Sequence, residues 1–213
     1  MFNNYYESYL DIDKAVDMRG CSICVSENRD TPINKRYIYK AIISDYNNQR
    51  IVSISPQISL GSIISFCEDI KDKTLDEILF SESLQQIVLR VSKMYRMTLD
   101  NKNVNNFSKQ KITCEYLSDY KKYVIRDRDR IVSYCKISNI DFDYGNLVIW
   151  TDEKYRRKGF AREVLIATIL KCKEDGIEPL YLVNSKNTAS LELAKTVGFV
   201  IAQTEINACE EVQ

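Results

Sequence analysis

The chain of 213 residues contains no histidine. Ser-His-Asp triads, Cys-His dyads and His-ligated zinc all need an imidazole, so none of them can be built here. Chemistry is left to carboxylates, tyrosines, thiols, water and backbone amides. Neither sign of charge is in excess, because 30 Lys+Arg face 30 Asp+Glu. That balance argues against a dedicated nucleic-acid surface, which carries basic excess. No apolar run approaches the length of about 18 residues that a membrane span requires. The opening MFNNYYESYLDID lacks the basic and apolar regions of a secretory signal, so a cytoplasmic location is the expectation. There is no internal repeat and no low-complexity tract.

Cysteine is present but in no disulfide pattern. The seven thiols are odd in number and scattered, at Cys21, Cys24, Cys67, Cys114, Cys135, Cys172 and Cys209. Reduced thiols fit this better than a disulfide scaffold, which is smaller and denser in cysteine. Cys21-Ser-Ile-Cys24 is a CxxC without a second pair or a histidine beside it. It reads as two partly buried thiols rather than a metal site, and no metal is expected.

With 45% hydrophobic and 28% charged residues, the chain can bury a substantial core. Its length falls between one and two domains of about 150 residues each. Residues 36–55 read as a hairpin: Ile- and Tyr-rich to Tyr46, a turn at Asn47-Asn48-Gln49, then Ile51-Val52-Ser53-Ile54-Ser55 stopped by Pro56. Thr74-Leu-Asp-Glu77 matches a capping box. Ile78, Leu84, Ile87, Val88, Val91, Met94 and Tyr95 follow at helical spacing, predicting a helix to about residue 97. An Asn-rich, apolar-poor stretch over 100–111 reads as a linker. An N-terminal α+β region over 1–105 followed by a second domain over 106–213 is the expected organisation.

The second half alternates strand and helix. Strands are expected at 121–125 and 131–140 around a charged Arg126–Arg130 turn, and at Leu147-Val-Ile-Trp150, whose continuous apolar run suggests cover on both faces. Ala161, Val164, Leu165, Thr168, Ile169 and Cys172 mark a helix face ending at Gly176. A strand at 180–183 follows. Asn187 caps a helix closed by Gly198, and a last strand occupies 200–206. This is an α/β pattern.

Chemistry concentrates in Tyr155-Arg156-Arg157-Lys158-Gly159-Phe160-Ala161, a turn between strand and helix. A helix N-terminus behind a loop of converging N–H groups is an anion site. Gly159 keeps a Cβ out of the approach, and Ala161 keeps the first turn small. Lys154, Arg156, Arg157, Lys158 and Arg162 put five cations in nine residues with no carboxylate among them. That local excess suits a phosphorylated ligand. Neither GxGxxG nor GxxxxGK(S/T) occurs, so dinucleotide-fold and P-loop readings fail.

Two elements in this order carry a resemblance: Arg156-Arg-Lys-Gly159-Phe-Ala161, and downstream Asn187-Thr-Ala-Ser190-Leu-Glu-Leu-Ala194-Lys-Thr-Val-Gly198-Phe199. The first matches a (Gln/Arg)-x-x-Gly-x-(Gly/Ala) pyrophosphate loop. Over about 112–207, and most closely over 147–199, the sequence resembles the GNAT superfamily of acyl-CoA-dependent N-acetyltransferases, in the subgroup with an extra N-terminal region. The resemblance implies a mixed sheet with splayed central parallel strands and flanking helices. It implies acetyl-CoA as cosubstrate and an amine acceptor, small molecule or peptide, with no nucleic acid or membrane as partner. Ile149, Trp150 and Thr151 would line the pantetheine arm. The amides of Arg157, Lys158, Gly159, Phe160, Ala161 and Arg162, next to Arg156, would hold the pyrophosphate, and Asn187 and Ser190 would flank the thiol end.

The sequence departs from the family pattern twice. Ala194 stands where many members have a tyrosine acid, and Gly145 or Asn146 where a glutamate base is common. Asp143 and Tyr181 are the substitute candidates, with turn chemistry and core packing as their respective structural alternatives. Three functions follow: an N-acetyltransferase, a GNAT-like module that binds CoA without transferring acetyl groups, or a protein whose N-terminal half recruits a partner.

Overall fold

A computed structural model describes residues 2–32, 37–87, 90–100, 107 and 113–211. In chain order the elements are α1 (Phe2–Leu10), β1 (Val16–Met18), β2 (Cys21–Val25), β3 (Tyr37–Tyr46), β4 (Gln49–Ile54), α2 (Leu60–Ile70), α3 (Leu75–Ile78), α4 (Glu82–Ile87) and β5 (Arg90–Leu99). There follow β6 (Glu115–Leu117), β7 (Lys122–Asp127), β8 (Arg130–Asp141), β9 (Tyr144–Thr151), α5 (Phe160–Glu174), β10 (Glu178–Asn184), α6 (Thr188–Val197) and β11 (Phe199–Glu211). The chain divides into two compact units, Met1–Tyr95 with Gln203–Gln213, and Arg96–Ala202.

In the first unit the strand order is β1-β2-β4-β3-β11, with β2 and β4 parallel and the other neighbours antiparallel. The β3–β4 hairpin forms where the sequence predicts it, with Asn47 and Asn48 at φ 49° and 62° in its two-residue turn. One rung joins Ile23, Val52, Ile43 and Ile206, and these side chains share a face. That face packs with Ile63, Phe66, Cys67 and Ile70 of α2, Ile78 and Leu84 in one buried cluster. Each such side chain contributes about 1.5–3 kcal/mol of transfer free energy. The opposite face carries Cys24, Ser53, Ile42 and Asn207 on a common rung. Close to them the Tyr6 hydroxyl donates to Glu205 Oε2 at 3.0 Å.

The capping box at Thr74 forms as expected, its side chain accepting from Glu77 N while Glu77 reaches back to Thr74 N. The single helix expected to about residue 97 does not. It stops after one turn, resumes as α4, and the chain is extended from Arg90. Val91 and Tyr95 satisfy a period of two as well as 3.6, Met97 continues the period of two, and β-branched and aromatic residues favour the strand. Val88 and, apart from Asp100 and Phe107, the expected linker at 100–111 lie outside the described residues.

The second unit has the order β10-β9-β8-β7-β6, with β9 and β10 parallel and the rest antiparallel. Helix α5 buries Val164, Leu165, Ile169 and Cys172. Thr168 Oγ1, also buried, donates to Val164 O at 2.8 Å, which satisfies the hydroxyl inside the helix. Gly176 (φ 70°) and Gly198 (φ 103°) end the two helices in the left-handed conformation predicted for them. Trp150 departs from expectation: it is 41% exposed and stacks on Tyr134, its rung partner, at 5.6 Å. Within the apolar run at 147–150 only Leu147 is fully buried, and the face of Val148 and Trp150 is partly open. Among the described residues no helix is long and apolar enough to cross a membrane.

Candidate active site

The parallel ladder between β9 and β10 is short. Tyr144, Gly145 and Asn146 pair with Glu178, Pro179 and Leu180, and the register ends there. Both strands continue, β9 to Thr151 and β10 to Asn184. On its other side β9 stays paired with β8 as far as Thr151 opposite Ser133, where Ser133 Oγ and Thr151 Oγ1 are 2.8 Å apart. The strand thus stays paired on that side while its inner edge is open from Leu147 onward. Main-chain donors and acceptors on such an edge need a partner.

That edge forms one wall of a cleft of about 620 Å³. Ile149, Trp150 and Thr151 line it from β9, and Tyr155, Arg156, Arg157, Gly159, Phe160, Ala161 and Arg162 line it from the loop and first turn of α5. Asn187, Ala189, Ser190 and Leu193 close it from the start of α6. The loop reaches its shape through Arg157 at φ 61° and Gly159 at φ 84°, two left-handed residues one apart. Alternation of this kind turns successive N–H groups toward one point. Gly159 is the N-cap of the 15-residue α5 and makes no side-chain cap, so the positive end of the helix dipole faces the cleft. A Cβ on Gly159 would meet no atom within 4 Å; the space beside it is open to a ligand.

The neighbouring carboxylates are engaged elsewhere. Glu163, the acid of the first helical turn, accepts from Thr113 N at 2.7 Å and Thr113 Oγ1 at 2.6 Å. Asp152 pairs with Arg130, and Asp127 accepts from Tyr155, whose phenol is held above its ordinary pKa by that bond. Arg156 retains an exposed contact with Glu153 at 3.5 Å. Arg157 has no carboxylate partner among the described residues. What remains at the helix start is positive potential suited to a diphosphate.

At the opposite wall Asn187 Oδ1 accepts from Ser190 N at 3.2 Å, so the predicted cap is made. Behind Ser190 stands Tyr181 of β10, 2% exposed, its hydroxyl 2.7 Å from Ser190 Oγ. Its ring packs on Phe199 at 5.5 Å. Burial raises the Tyr181 pKa, the serine contact opposing only in part. The phenol therefore keeps its proton at neutral pH.

Of the residues singled out in the sequence, Ile149 to Thr151, Arg156, Arg157, Gly159 to Arg162, Asn187 and Ser190 all meet in this cleft. Lys158 does not line it; its Nζ lies over the Tyr155 ring at 4.8 Å. Asp143 sits in the β8–β9 turn at φ 65°, its carbonyl accepting from Glu178 N. Six residue steps along the strand, about 20 Å of extended chain, separate it from Ile149. Asp143 therefore belongs to the other end of β9. Ala194 is buried and outside the lining. At Gly145 an added Cβ would lie 2.8 Å from Ile177 Cγ2 and 3.0 Å from Ile137 Cγ2, which leaves no room for a glutamate. Sequence reasoning missed Tyr155, Ala189 and Leu193 as lining residues. Spacing along α6 contained the last two, since 189 and 193 are one turn apart beside Ser190.

A family model described as GNAT acetyltransferase matches residues 33–205. No curated protein sequence matches this chain. Among solved structures, an acetyltransferase from the GNAT family of Colwellia psychrerythraea has a TM-score of 0.53 at 11% identity, covering 100% of this chain and 96% of that one. A GCN5-related N-acetyltransferase-like protein from Streptococcus suis gives 0.49 at 13% identity, over 85% of each chain. The first of these likenesses is one of fold. The match over 33–205 takes in every residue that lines the cleft, and by it the chain belongs to the GNAT acetyltransferase family.

Proposed function

We propose that the protein transfers the acetyl group of acetyl-CoA to the amine of a small-molecule or peptide acceptor. The observation that supports this most is the ladder between β9 and β10 stopping at Asn146 and Leu180, directly before a cleft floored by the N-terminus of α5. Bound acetyl-CoA supplies the thioester that an amine attacks. The loop from Arg156 to Arg162 receives the diphosphate through backbone N–H groups and the helix dipole. The open edge of β9 at Ile149–Thr151 offers main-chain hydrogen bonds to the pantetheine amides. An N–H on that same edge stabilises negative charge on the carbonyl oxygen as it develops. A thiol pKa near 8.5 makes the thiolate a tolerable leaving group.

Proton delivery falls to Ser190 and Tyr181. Ser190 lines the cleft and Tyr181 backs it at 2.7 Å, so a proton given up by the serine hydroxyl is replaced from the neutral phenol. No step in this scheme uses an imidazole. Ala194 leaves α6 without a phenol of its own, and Tyr181 supplies one from the neighbouring strand.

Calorimetry with CoA and chromatographic detection of CoA released from acetyl-CoA, across a broad panel of amines, test the proposal together. Micromolar binding with amine-dependent release supports it. Tight CoA binding with no release for any amine would sink acetyl transfer and leave a CoA-binding module.

A further inference from the structure

Cys21 opens β2, and its side chain lies on the face covered by α2. Cys24, three residues on in an extended strand, points to the opposite face. The CxxC therefore separates its two sulfurs, and the cysteine that approaches Cys21 comes from 46 residues away. Cys21 Sγ lies 3.9 Å from the carbonyl oxygen of Cys67, and both side chains sit in the same buried cluster. The approach is built into the backbone. Gly20 precedes Cys21 at φ 84°, and a Cβ on it would stand 3.3 Å from Cβ of Lys71. Lys71 is one helical turn beyond Cys67, so the glycine lets the end of α2 settle onto the start of β2.

Cys21 is 2% exposed and Cys67 is buried, so an oxidant reaches the pair through Cys21. Cys21 borders a cleft of about 570 Å³ shared with Ser22, Asp45, Arg50 and Lys71. Arg50 is its rung partner on β4. The guanidinium is fixed there by bonds of 2.8 Å to the carbonyls of Ile70 and Lys73 and by its pairing with Asp45. A fixed cation beside a thiol at a cleft favours the thiolate. Cys67 first, and then Arg50, hold the Cys21 thiol below its ordinary pKa against burial and Asp45, and that of Cys67 is raised. Cys135 and Cys172 are buried, and burial pushes both up to about 12.

We propose that Cys21 and Cys67 form a peroxide-oxidised dithiol, with Cys21 as the attacking sulfur and Cys67 as the resolving one. The Cys21 thiolate attacks a hydroperoxide oxygen; an S–O bond forms, the O–O bond breaks and hydroxide or alkoxide leaves. Cys21 is then a sulfenic acid, two electrons more oxidised, and the peroxide is reduced. Cys67 sulfur attacks Cys21 sulfur; the S–S bond forms as the S–O bond breaks, and hydroxide takes the Cys67 proton to leave as water. The product staples β2 to α2, and a dithiol reductant reopens it.

The test is hydrogen peroxide treatment of the full chain, alkylation of remaining thiols and non-reducing tryptic mapping by mass spectrometry. The peptide carrying Cys21 and Cys24 is expected to be joined to that carrying Cys67, and dithiothreitol separates them. Cys24→Ser keeps the link; Cys21→Ser and Cys67→Ser abolish it. In Cys67→Ser the sulfenic acid cannot be resolved, so dimedone labelling of Cys21 rises roughly ten-fold over wild type. Matching melting temperatures of the reduced proteins verify that the variants are folded. A link that disappears in Cys24→Ser, or oxidation at Cys114 and Cys209 with Cys21 and Cys67 both alkylated, overturns the proposal.

Discussion

Gly159→Asp tests the loop most sharply, because its two effects are separable. The first is backbone strain. Gly159 sits at φ 84°, where an L residue costs about 1 kcal/mol; for a chain of this length that lowers Tm by about 2–4 °C. The added side chain meets nothing within 4 Å, so no packing cost is added. The second effect acts only on the ligand. A carboxylate ~5 Å from a doubly charged diphosphate is repelled by about 7 kcal/mol at an effective dielectric near 20 and about 2 kcal/mol in water. The cleft is open, so the lower end applies: about 2–3 kcal/mol, or roughly 30- to 150-fold in the Kd for CoA. Gly159→Ala carries the same strain without the charge and should weaken CoA no more than about ten-fold. Calorimetry and thermal unfolding of both variants decide the matter, and raising the salt concentration should narrow the gap between them. An unchanged Kd in Gly159→Asp, or equal losses in the two variants, would refute the placement of the diphosphate.

Three further outcomes follow from the geometry. Tyr181→Phe should lower kcat by about ten-fold with little change in CoA affinity, as steady-state kinetics beside calorimetry will read. Burial favours the protonated phenol in the fold, so its contribution is complete below the ordinary tyrosine pKa and lost as pH rises through the raised one; alkaline melting curves should fall for wild type and flatten for Tyr181→Phe. Gly145→Ala forces a Cβ between Ile137 and Ile177 and should cost about 2 kcal/mol, read as a Tm lower by about 4–8 °C. Asp69 accepts from Lys73, Ser83 and Ser81, and these bonds, the lysine's first, hold it down at about 2. Its stabilising effect is present above its ordinary pKa and lost as pH falls through the lowered one; after discounting for exposure it is worth about 1 kcal/mol. Asp69→Asn should therefore unfold more readily at neutral pH, with the difference vanishing in acid-titration melts near pH 2.

Most of the second unit was legible in sequence, because its signals are local. Gly159, Ala161, Asn187 and Gly198 each mark a helix boundary within a few residues of the feature they create, and all four do so in the structure. The failures have a common cause. Val91 to Met97 fit two periodicities, and pairing with distant strands decides between them. Trp150 sits in an apolar run, yet nothing along the chain says that the face it occupies is left partly open. Asp143 is two residues from the position it was meant to replace, but the β8–β9 turn sends it to the wrong end of the strand. In each case the deciding contact is remote in sequence, and composition or spacing cannot report it.

The ladder of three rungs between β9 and β10 has one more consequence. A sheet interrupted in this way leaves amides on Leu147 to Thr151 and on Tyr181 to Asn184 whose protection depends on what fills the notch. Any molecule that bonds to both edges becomes a temporary structural member, so its affinity adds to folding stability: about 2.7 kcal/mol at a concentration one hundred times Kd. Hydrogen exchange at those of the nine amides that face the notch would then register occupancy directly, without a reaction being observed.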